Sequence, residues 1–319
     1  MREIGGYMEL EYYHMPMVHD GMLAFNCARN CLAYLIEKKH IKKIYIPKFL
    51  CDSVSDICQR YFVKVEFYSI GRNFMPESLE PELGSWVYLV NYYGQLSNDT
   101  FLDLKNKYKN IIIDNVQAYF QEPLGGVDTI YTCRKFFGVT DGAFLSSDLK
   151  MGEEVQQDES FERTHFLLGR FERSALEFYS EYTEREDEFI DAPIRRMSKL
   201  TENLLHAIDY EAVLKTRTEN FVFFHERFAD RNRLELTVPK GPYMYPLYVE
   251  HGAEIRKKLQ TDKIFVPILW PDVINKCGKD TYEYDMAENI LPLPVDQRYG
   301  IEDMRYVADK VEELMEETL

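Results

Sequence analysis

The 319-residue chain is long enough for one large domain and a smaller second one, and its hydrophobic content of 45% is ordinary for a globular enzyme. A formal net charge of −16 disfavours general binding to nucleic acid or to a membrane surface, although a local pocket can still accept an anionic small molecule. The six cysteines show neither CxxC nor Cys/His metal spacing, so we expect free thiols and no metal site. Without a signal peptide or an apolar run approaching about 18 residues, the sequence favours a soluble cytoplasmic protein.

Strands and helices are predicted to alternate through the first half of the chain. Helical spacing covers residues 25–39, 52–60 and 99–109, and strand patterns cover residues 43–49, 63–70, 86–93, 111–113 and 127–131. Such alternation indicates βαβ units around a mainly parallel sheet. No GxGxxG follows a strand, and neither GxxxxGK[ST] nor GxSxG occurs. A dinucleotide-binding, P-loop or serine-hydrolase interpretation therefore lacks its motif.

Two of the predicted strands end in polar residues that suggest chemistry. Asp114 follows the run Ile111 to Ile113, and Lys135 comes shortly after residues 127–131 in apolar company. Ligands of open α/β sheets bind at the carboxyl ends of strands, where desolvation lowers the pKa of a lysine and frees its amine. A lysine for the aldehyde and an aspartate for the ring nitrogen are what pyridoxal 5'-phosphate (PLP) requires. The alternatives are a surface lysine and a helix-capping aspartate.

The same stretch resembles the DegT/DnrJ/EryC1/StrS sugar aminotransferases, a family within the fold-type I PLP superfamily. IIIDNVQAYF resembles the family's strand that ends in Asp-x-x-Gln/His, and TCRKFFGVTDGAFL resembles its Schiff-base lysine segment. The resemblance implies that Lys135 is the Schiff-base lysine and that Asp114 contacts the pyridine nitrogen, both as catalytic residues. It further implies that Gln117 lies near the 3-hydroxyl group and Thr132 at the phosphate.

The resemblance extends to the first helix and the segment after residue 47. The family binds the PLP phosphate at the start of this helix, where Ala28 and Arg29 replace its glycine and threonine. A helix N-terminus is a ready anion site, and the arginine fork suits phosphate, although Arg29 can equally be an ordinary surface residue. Phe49 is the nearest candidate for the aromatic residue that stacks on the cofactor ring. Its alternative is a core phenylalanine.

Two departures from the family pattern affect the expected site. Ile194 stands where the family has an asparagine that reaches the phosphate of the neighbouring subunit, so Arg29 or Arg196 is a candidate replacement donor. Near residues 264–270 the family has a substrate-facing histidine, whereas this chain has Trp270. These departures indicate a changed substrate pocket.

The second half of the chain is expected to contain an acidic helical segment over residues 151–185 and then an α+β region. In that region we predict strands at 243–249 and 264–269, a helix at 304–314, and proline-rich connectors at PILWP and ILPLPVDQRYG. The predicted architecture is α/β with PLP-transferase fold type I. Residues 1–195 form a large domain with a mostly parallel mixed sheet flanked by helices, and residues 196–319 form a small C-terminal α+β domain.

The resemblance implies a PLP-dependent aminotransferase that moves an amino group from an amino acid, with glutamate expected, to a nucleotide-linked keto-sugar. A role in polysaccharide or cell-surface sugar biosynthesis and a homodimer with active sites at its interface follow from the same likeness. Three alternatives remain open. A sugar dehydratase is disfavoured by Lys135, because the family's dehydratases carry histidine there. The others are a PLP-fold protein that has lost catalysis and a non-PLP α/β binding protein.

Overall fold

The structure, a computed structural model, describes residues 4–318 and is built around one large mixed sheet. Its strands in chain order are β1 Leu23–Phe25, β2 Lys43–Pro47, β3 Lys64–Ile70, β4 Pro76–Glu77, β5 Trp86–Val90, β6 Ile111–Asp114, β7 Asp128–Thr132 and β8 Ala143–Ser146. Across the sheet they follow the order β1-β8-β7-β6-β5-β2-β3-β4. The central strands β3, β2, β5, β6 and β7 are parallel, and antiparallel strands lie at both edges. The prediction of a mostly parallel mixed sheet is confirmed.

Helices flank this sheet and continue into the second half of the chain. They are α1 Ala28–Lys39, α2 Asp52–Arg60, α3 Asn98–Tyr108, α4 His165–Glu172, α5 Tyr179–Asp187, α6 Lys199–Leu205, α7 Tyr210–Phe228, α8 Gly252–Thr261, α9 Pro271–Lys276, α10 Tyr282–Asn289 and α11 Ile301–Thr318. Two further strands, β9 Met244–Tyr248 and β10 Ile290–Pro294, form a separate antiparallel pair. Among the helices within residues 4–318, none combines the length and apolar character needed to cross a membrane.

The central strand β6 is apolar along its length and ends in a polar residue at the carboxyl edge of the sheet. Ile111, Ile112 and Ile113 are each at most 1% exposed, because helices cover both faces of a parallel sheet. Burying one such side chain contributes about 1.5–3 kcal/mol relative to leaving it in water. The apolar run ends at Asp114, where the strand reaches the carboxyl edge of the sheet. Side chains at that edge no longer pack between the two helical layers and are available to a site.

A second core lies in the C-terminal half, between the β9–β10 pair and helices α7, α8 and α11. Its members include Phe221, Phe224, Leu247, Leu291 and Val311. The residues just after 195 pack elsewhere, because Met197 and Leu205 join Phe136 and Phe137 in a third cluster around the lysine segment. The α6 region therefore packs against the large sheet unit, and the domain division at residues 195 and 196 stays a prediction.

Two local predictions in the C-terminal half are wrong, and a third is confirmed only in part. Residues 264–269 form no strand, and Pro267 interrupts the run there with a residue that cannot donate to a ladder. The acidic stretch 151–185 contains no helix up to residue 160, and its remainder contains α4 and most of α5. Conversely, the expected connector that contains Pro292 forms β10.

Proline is tolerated in β10 because of its register. Pro292 faces Pro246 across the pair, and Ile290 faces Tyr248. Opposed residues in an antiparallel pair alternate between hydrogen-bonded and non-bonded positions, so these two pairs belong to one class. Tyr248 bonds outside the pair, since its N–H donates to Asn232 Oδ1 at 3.0 Å. The prolines, which lack an N–H group, therefore lie at positions where the strand pair forms no hydrogen bonds.

Candidate active site

Asp114 and Lys135 lie at the carboxyl ends of two neighbouring strands. β6 and β7 are parallel, and Asp114 pairs in register with Ile130 of β7. Lys135 follows β7 in the turn that leads to β8. This turn is closed by a hydrogen bond from Cys133 N to Gly142 O at 3.1 Å. The two predicted catalytic residues therefore share one edge of the sheet.

The carboxylate of Asp114 is buried and held from two directions. Tyr88 on β5 donates its hydroxyl hydrogen to Oδ2 at 2.8 Å, and the backbone N–H of Val116 donates to Oδ1 at 3.0 Å. Burial raises the pKa of Asp114, while the charge of Lys135 and both hydrogen bonds act against this rise. The result is a fixed acceptor whose position is set before any ligand arrives.

Lys135 is an exposed residue in the turn after β7. Its side chain remains exposed to solvent, yet the surrounding protein desolvates the amine and lowers its pKa, an effect that the charge of Asp114 opposes. Each group shifts the pKa of the other, but within residues 4–318 they do not form an ion pair. Nζ lies 5.6 Å from the ring centroid of Tyr243, a residue of the C-terminal half. Lys135 is therefore an exposed residue whose amine is influenced by the charge of Asp114 and is not engaged in an ion pair within the described residues.

Gln117 also reaches this edge. Its side chain is 3% exposed, and Oε1 accepts a hydrogen bond from Tyr93 N at 2.8 Å. Tyr93 has a positive φ of 54°, an uncommon backbone conformation that turns its N–H toward this acceptor. The Gln117 amide nitrogen has no partner among the described residues, so it can donate to a ligand oxygen. Its assignment to a cofactor hydroxyl group stays a prediction.

Thr132, Ala28 and Arg29 lie around the start of α1. Gly142 N donates to Asn26 O at 2.7 Å, which ties the β7–β8 turn to the residues before α1. Thr132 Oγ1 donates to Gly142 O at 3.4 Å. The first turn of α1 contains no acidic residue and has no side-chain cap. Asn30 N donates to Cys27 O at 3.1 Å, which leaves the N–H groups of Ala28 and Arg29 for an anion. Arg29 has no ion pair within the described part of the chain.

Phe49 lies in the core and presents no free surface. It is 0% exposed and packs against Trp270, with ring centroids 4.3 Å apart, and against Tyr92 at 5.4 Å. Tyr92 also donates its hydroxyl hydrogen to Phe49 O at 2.5 Å. This packing matches the core alternative, and a stacking contact with a cofactor stays a prediction that the geometry does not favour.

The two arginines after Ile194 differ in how firmly their side chains are held. Arg196 donates to the backbone oxygens of Val155 and Gly152, each at 3.0 Å, and so has a structural role here. Arg195 forms an ion pair with Asp158 at 3.1 Å and keeps 41% of its side chain exposed. Of the two, Arg195 is the better placed to contact a soluble anion.

Sequence reasoning missed three groups that position the site. Tyr88 fixes Asp114, and no local pattern shows which residue of β5 faces a neighbouring strand end. Arg217, which is 1% exposed, donates to Phe136 O at 3.2 Å and to Pro242 O at 3.0 Å. Gln297 Nε2 donates to the same Phe136 oxygen at 2.8 Å. The C-terminal half thus holds the backbone next to Lys135, through contacts that span more than eighty residues of sequence.

Known structures share this architecture at low sequence identity. No family model matches the sequence, and no curated protein matches it either. The PLP-form structure of Spr1654 from Streptococcus pneumoniae, described as a sugar aminotransferase, is 13% identical with a TM-score of 0.66, covering 97% of this chain and 93% of that one. S. venezuelae DesV in complex with a ketimine intermediate is 13% identical with a TM-score of 0.65, over 95% of this chain and 90% of that one.

A third similar structure carries the family name. A DegT DnrJ EryC1 StrS aminotransferase from Brucella abortus is 12% identical with a TM-score of 0.62, covering 92% of this chain and 85% of that one. The expected likeness in fold is thereby confirmed over most of the chain. This protein has the fold-type I architecture of the sugar aminotransferases that it resembles.

Proposed function

We propose that this protein is a PLP-dependent aminotransferase that acts on a sugar. The observation that carries the proposal is the pair formed by an accessible, desolvated Lys135 and a buried, doubly hydrogen-bonded Asp114 on adjacent strand ends. The shared fold supports it, because the similar structures are described as aminotransferases.

The residues at this edge of the sheet fit pyridoxal phosphate by their chemistry. Asp114 offers a fixed carboxylate for a protonated ring nitrogen, and Gln117 offers an amide donor for a ring oxygen. The open first turn of α1 with Arg29 suits a phosphate group, since helix amides and a guanidinium both favour anions. Lys135 supplies the amine that attaches the aldehyde. PLP, when bound there, supplies an electron-withdrawing ring that stabilises negative charge at the α-carbon of the substrate.

The chain's own residues would then control the protons. Because the surrounding protein desolvates the amine and lowers the pKa of Lys135, the amine is neutral more readily than that of a free lysine and could act as a base at the substrate α-carbon. The hydrogen bonds from Tyr88 and the Val116 amide favour the charged form of Asp114, which would keep a proton on the ring nitrogen. Arg217 and Gln297 hold the backbone beside Lys135, so the amine returns to the same place after each proton transfer.

The finer parts of the proposal concern the substrates and the assembly. We propose glutamate as the amino donor and a nucleotide-linked keto-sugar as the acceptor, with Arg195 as a candidate contact for the nucleotide phosphates because its side chain is partly exposed. A homodimer, a cytoplasmic location and a role in polysaccharide or cell-surface sugar biosynthesis remain predictions. A protein that keeps the fold without catalysis is the second candidate, favoured by Ile194 and Trp270 at the positions where the resemblance expects an asparagine and a histidine.

The test is the visible absorbance of the protein mixed with PLP. We expect a band from lysine-bound cofactor that is lost in Lys135→Ala and retained in Lys199→Ala, an exposed lysine at the start of α6. Borohydride reduction should fix the cofactor to the peptide that contains Lys135. A protein that shows no band, or labels another lysine, would overturn the proposal.

Glutamate addition then separates the two candidates. An aminotransferase should convert the bound cofactor to its amino form and release 2-oxoglutarate, which is measured by loss of the visible band and by product analysis. A protein that binds PLP through Lys135 but gives no conversion with glutamate or with other amino acids would support the non-catalytic candidate.

A further inference from the structure

Arg134 belongs to the β7–β8 turn, whose backbone lies against the residues that precede α1. The turn is bonded through Gly142 N to Asn26 O at 2.7 Å, directly before the helix. The electrostatics agree with this geometry. Burial raises the pKa of the Cys27 thiol at the helix start, and the charges of Arg29 and Arg134 oppose that rise. Arg134 therefore shares the neighbourhood of the open helix amides with Arg29.

The guanidinium of Arg134 is paired with a partly exposed carboxylate that another anion could replace. It forms an ion pair with Glu186 on α5, and its central carbon lies 4.4 Å from the ring centroid of Phe189. The Arg134 side chain is 17% exposed, whereas that of Glu186 is 34% exposed. Glu186 can thus leave for solvent at modest cost, while Arg134 stays stacked on the aromatic ring.

We propose that Arg134 binds the phosphate group of the cofactor and that Glu186 competes with that phosphate for it. This inference rests on the proposed function and deepens it. A phosphate dianion attracts a guanidinium more strongly than one partly exposed carboxylate does, and the fork of arginine can meet two phosphate oxygens at once. Arg134 precedes Lys135 directly, so its backbone is fixed relative to the lysine that attaches the aldehyde.

The test compares PLP with pyridoxal, which lacks the phosphate group. Dissociation constants of both compounds are measured by absorbance titration for the wild-type protein and for Arg134→Gln, Arg134→Lys and Glu186→Gln. We expect Arg134→Gln to weaken PLP binding about tenfold or more, as loss of a hydrogen bond between charged groups does, and to leave pyridoxal binding unchanged. Arg134→Lys should recover part of the loss. Glu186→Gln should strengthen PLP binding about threefold, because the competitor is gone.

Two further variants separate a phosphate contact from a structural role. Arg163→Gln is the matched control, because Arg163 faces the same Phe189 ring at 5.4 Å but pairs with Asp158. We expect it to change the unfolding temperature without changing the ratio of the two affinities. In the double variant Arg134→Gln/Glu186→Gln, the gain from the glutamate change should vanish, because the two residues act on one interaction.

The outcomes distinguish this inference from the proposed function. A wild-type protein that binds neither compound would overturn the function itself. A wild-type protein that binds PLP, with Arg134→Gln weakening PLP and pyridoxal equally or affecting neither, would overturn the role of Arg134 alone. A Glu186→Gln variant that binds PLP more weakly would refute the competition.

Discussion

The two ends of the candidate site hold their charged groups in opposite ways. Asp114 is 3% exposed and receives hydrogen bonds from two different elements. At the other end, Arg29 has no ion pair within residues 4–318, and Arg134 pairs with a carboxylate that is one third exposed. Under the proposed function, the group that would hold the ring nitrogen is therefore buried and fixed. The groups that would receive an anion have partners that exchange easily, or none.

Removing the fixed charge should give the largest effect. Asp114→Asn keeps the shape of the side chain but lacks the negative charge that holds the ring nitrogen protonated. We expect PLP to bind and the half-reaction with the amino donor to slow by about a hundredfold, the scale on which loss of one preorganised electrostatic group reduces catalysis. Single-turnover absorbance measurements give this rate.

The matched control for that variant lies on the opposite edge of the same sheet. Asp128 at the start of β7 is 4% exposed and pairs with Lys39 at 2.7 Å. Asp128→Asn should lower stability without slowing the half-reaction. Equal slowing in both variants would mean that the position of Asp114 has no special role.

A smaller effect is expected when the support of Asp114 is removed. Tyr88→Phe deletes a hydrogen bond of 2.8 Å to the ionised carboxylate, so the folded-state pKa of Asp114 should rise. A bond to a charged group contributes about 1.5–3 kcal/mol, so the shift should be large enough to resolve in a pH–rate profile. Since catalysis needs the ionised form, the acid limb of the pH–rate profile should move upward and the rate should recover at higher pH.

Tyr68 provides the comparison for Tyr88. Its hydroxyl is also buried in this layer and donates to the backbone oxygen of Tyr88 at 2.8 Å. Tyr68→Phe should reduce stability but leave the acid limb in place. An unmoved profile in Tyr88→Phe, or an equal shift in both variants, would remove Tyr88 from the site.

The smallest effect is expected at the proposed phosphate end of the site, from the loss of Arg29. Arg29→Ala should weaken PLP retention a few-fold, about three to ten times, because solvent screens a partly exposed charge. The difference from wild type should shrink at high salt, which dialysis at two ionic strengths measures. Lys38→Ala on the far end of α1 removes another cation of that helix and should change nothing. Unchanged PLP occupancy in Arg29→Ala would end its assignment to the phosphate.

Local sequence patterns were enough to predict where β6 and β7 end. The β-branched run of β6 ends at a polar residue because apolar side chains stop where the helical layers stop, and Asp114 could be placed at the sheet edge for that reason. The same reasoning placed Lys135 just after the end of the next strand, β7. The sequence pattern wrongly predicted a connector at β10. Whether a strand tolerates proline depends on its register, and Pro292 is tolerated because it lies opposite Pro246.

The sequence by itself determined the alternation of strands and helices, the mixed sheet and the two residues at its polar edge, because these follow from the periodicity of neighbouring side chains. Only the tertiary structure decided that Phe49 is buried, that Tyr88 holds Asp114, that Arg134 pairs with Glu186 and that Arg217 fixes the backbone beside Lys135. Each of these contacts joins residues far apart in the chain, and they meet only when the elements that carry them pack together.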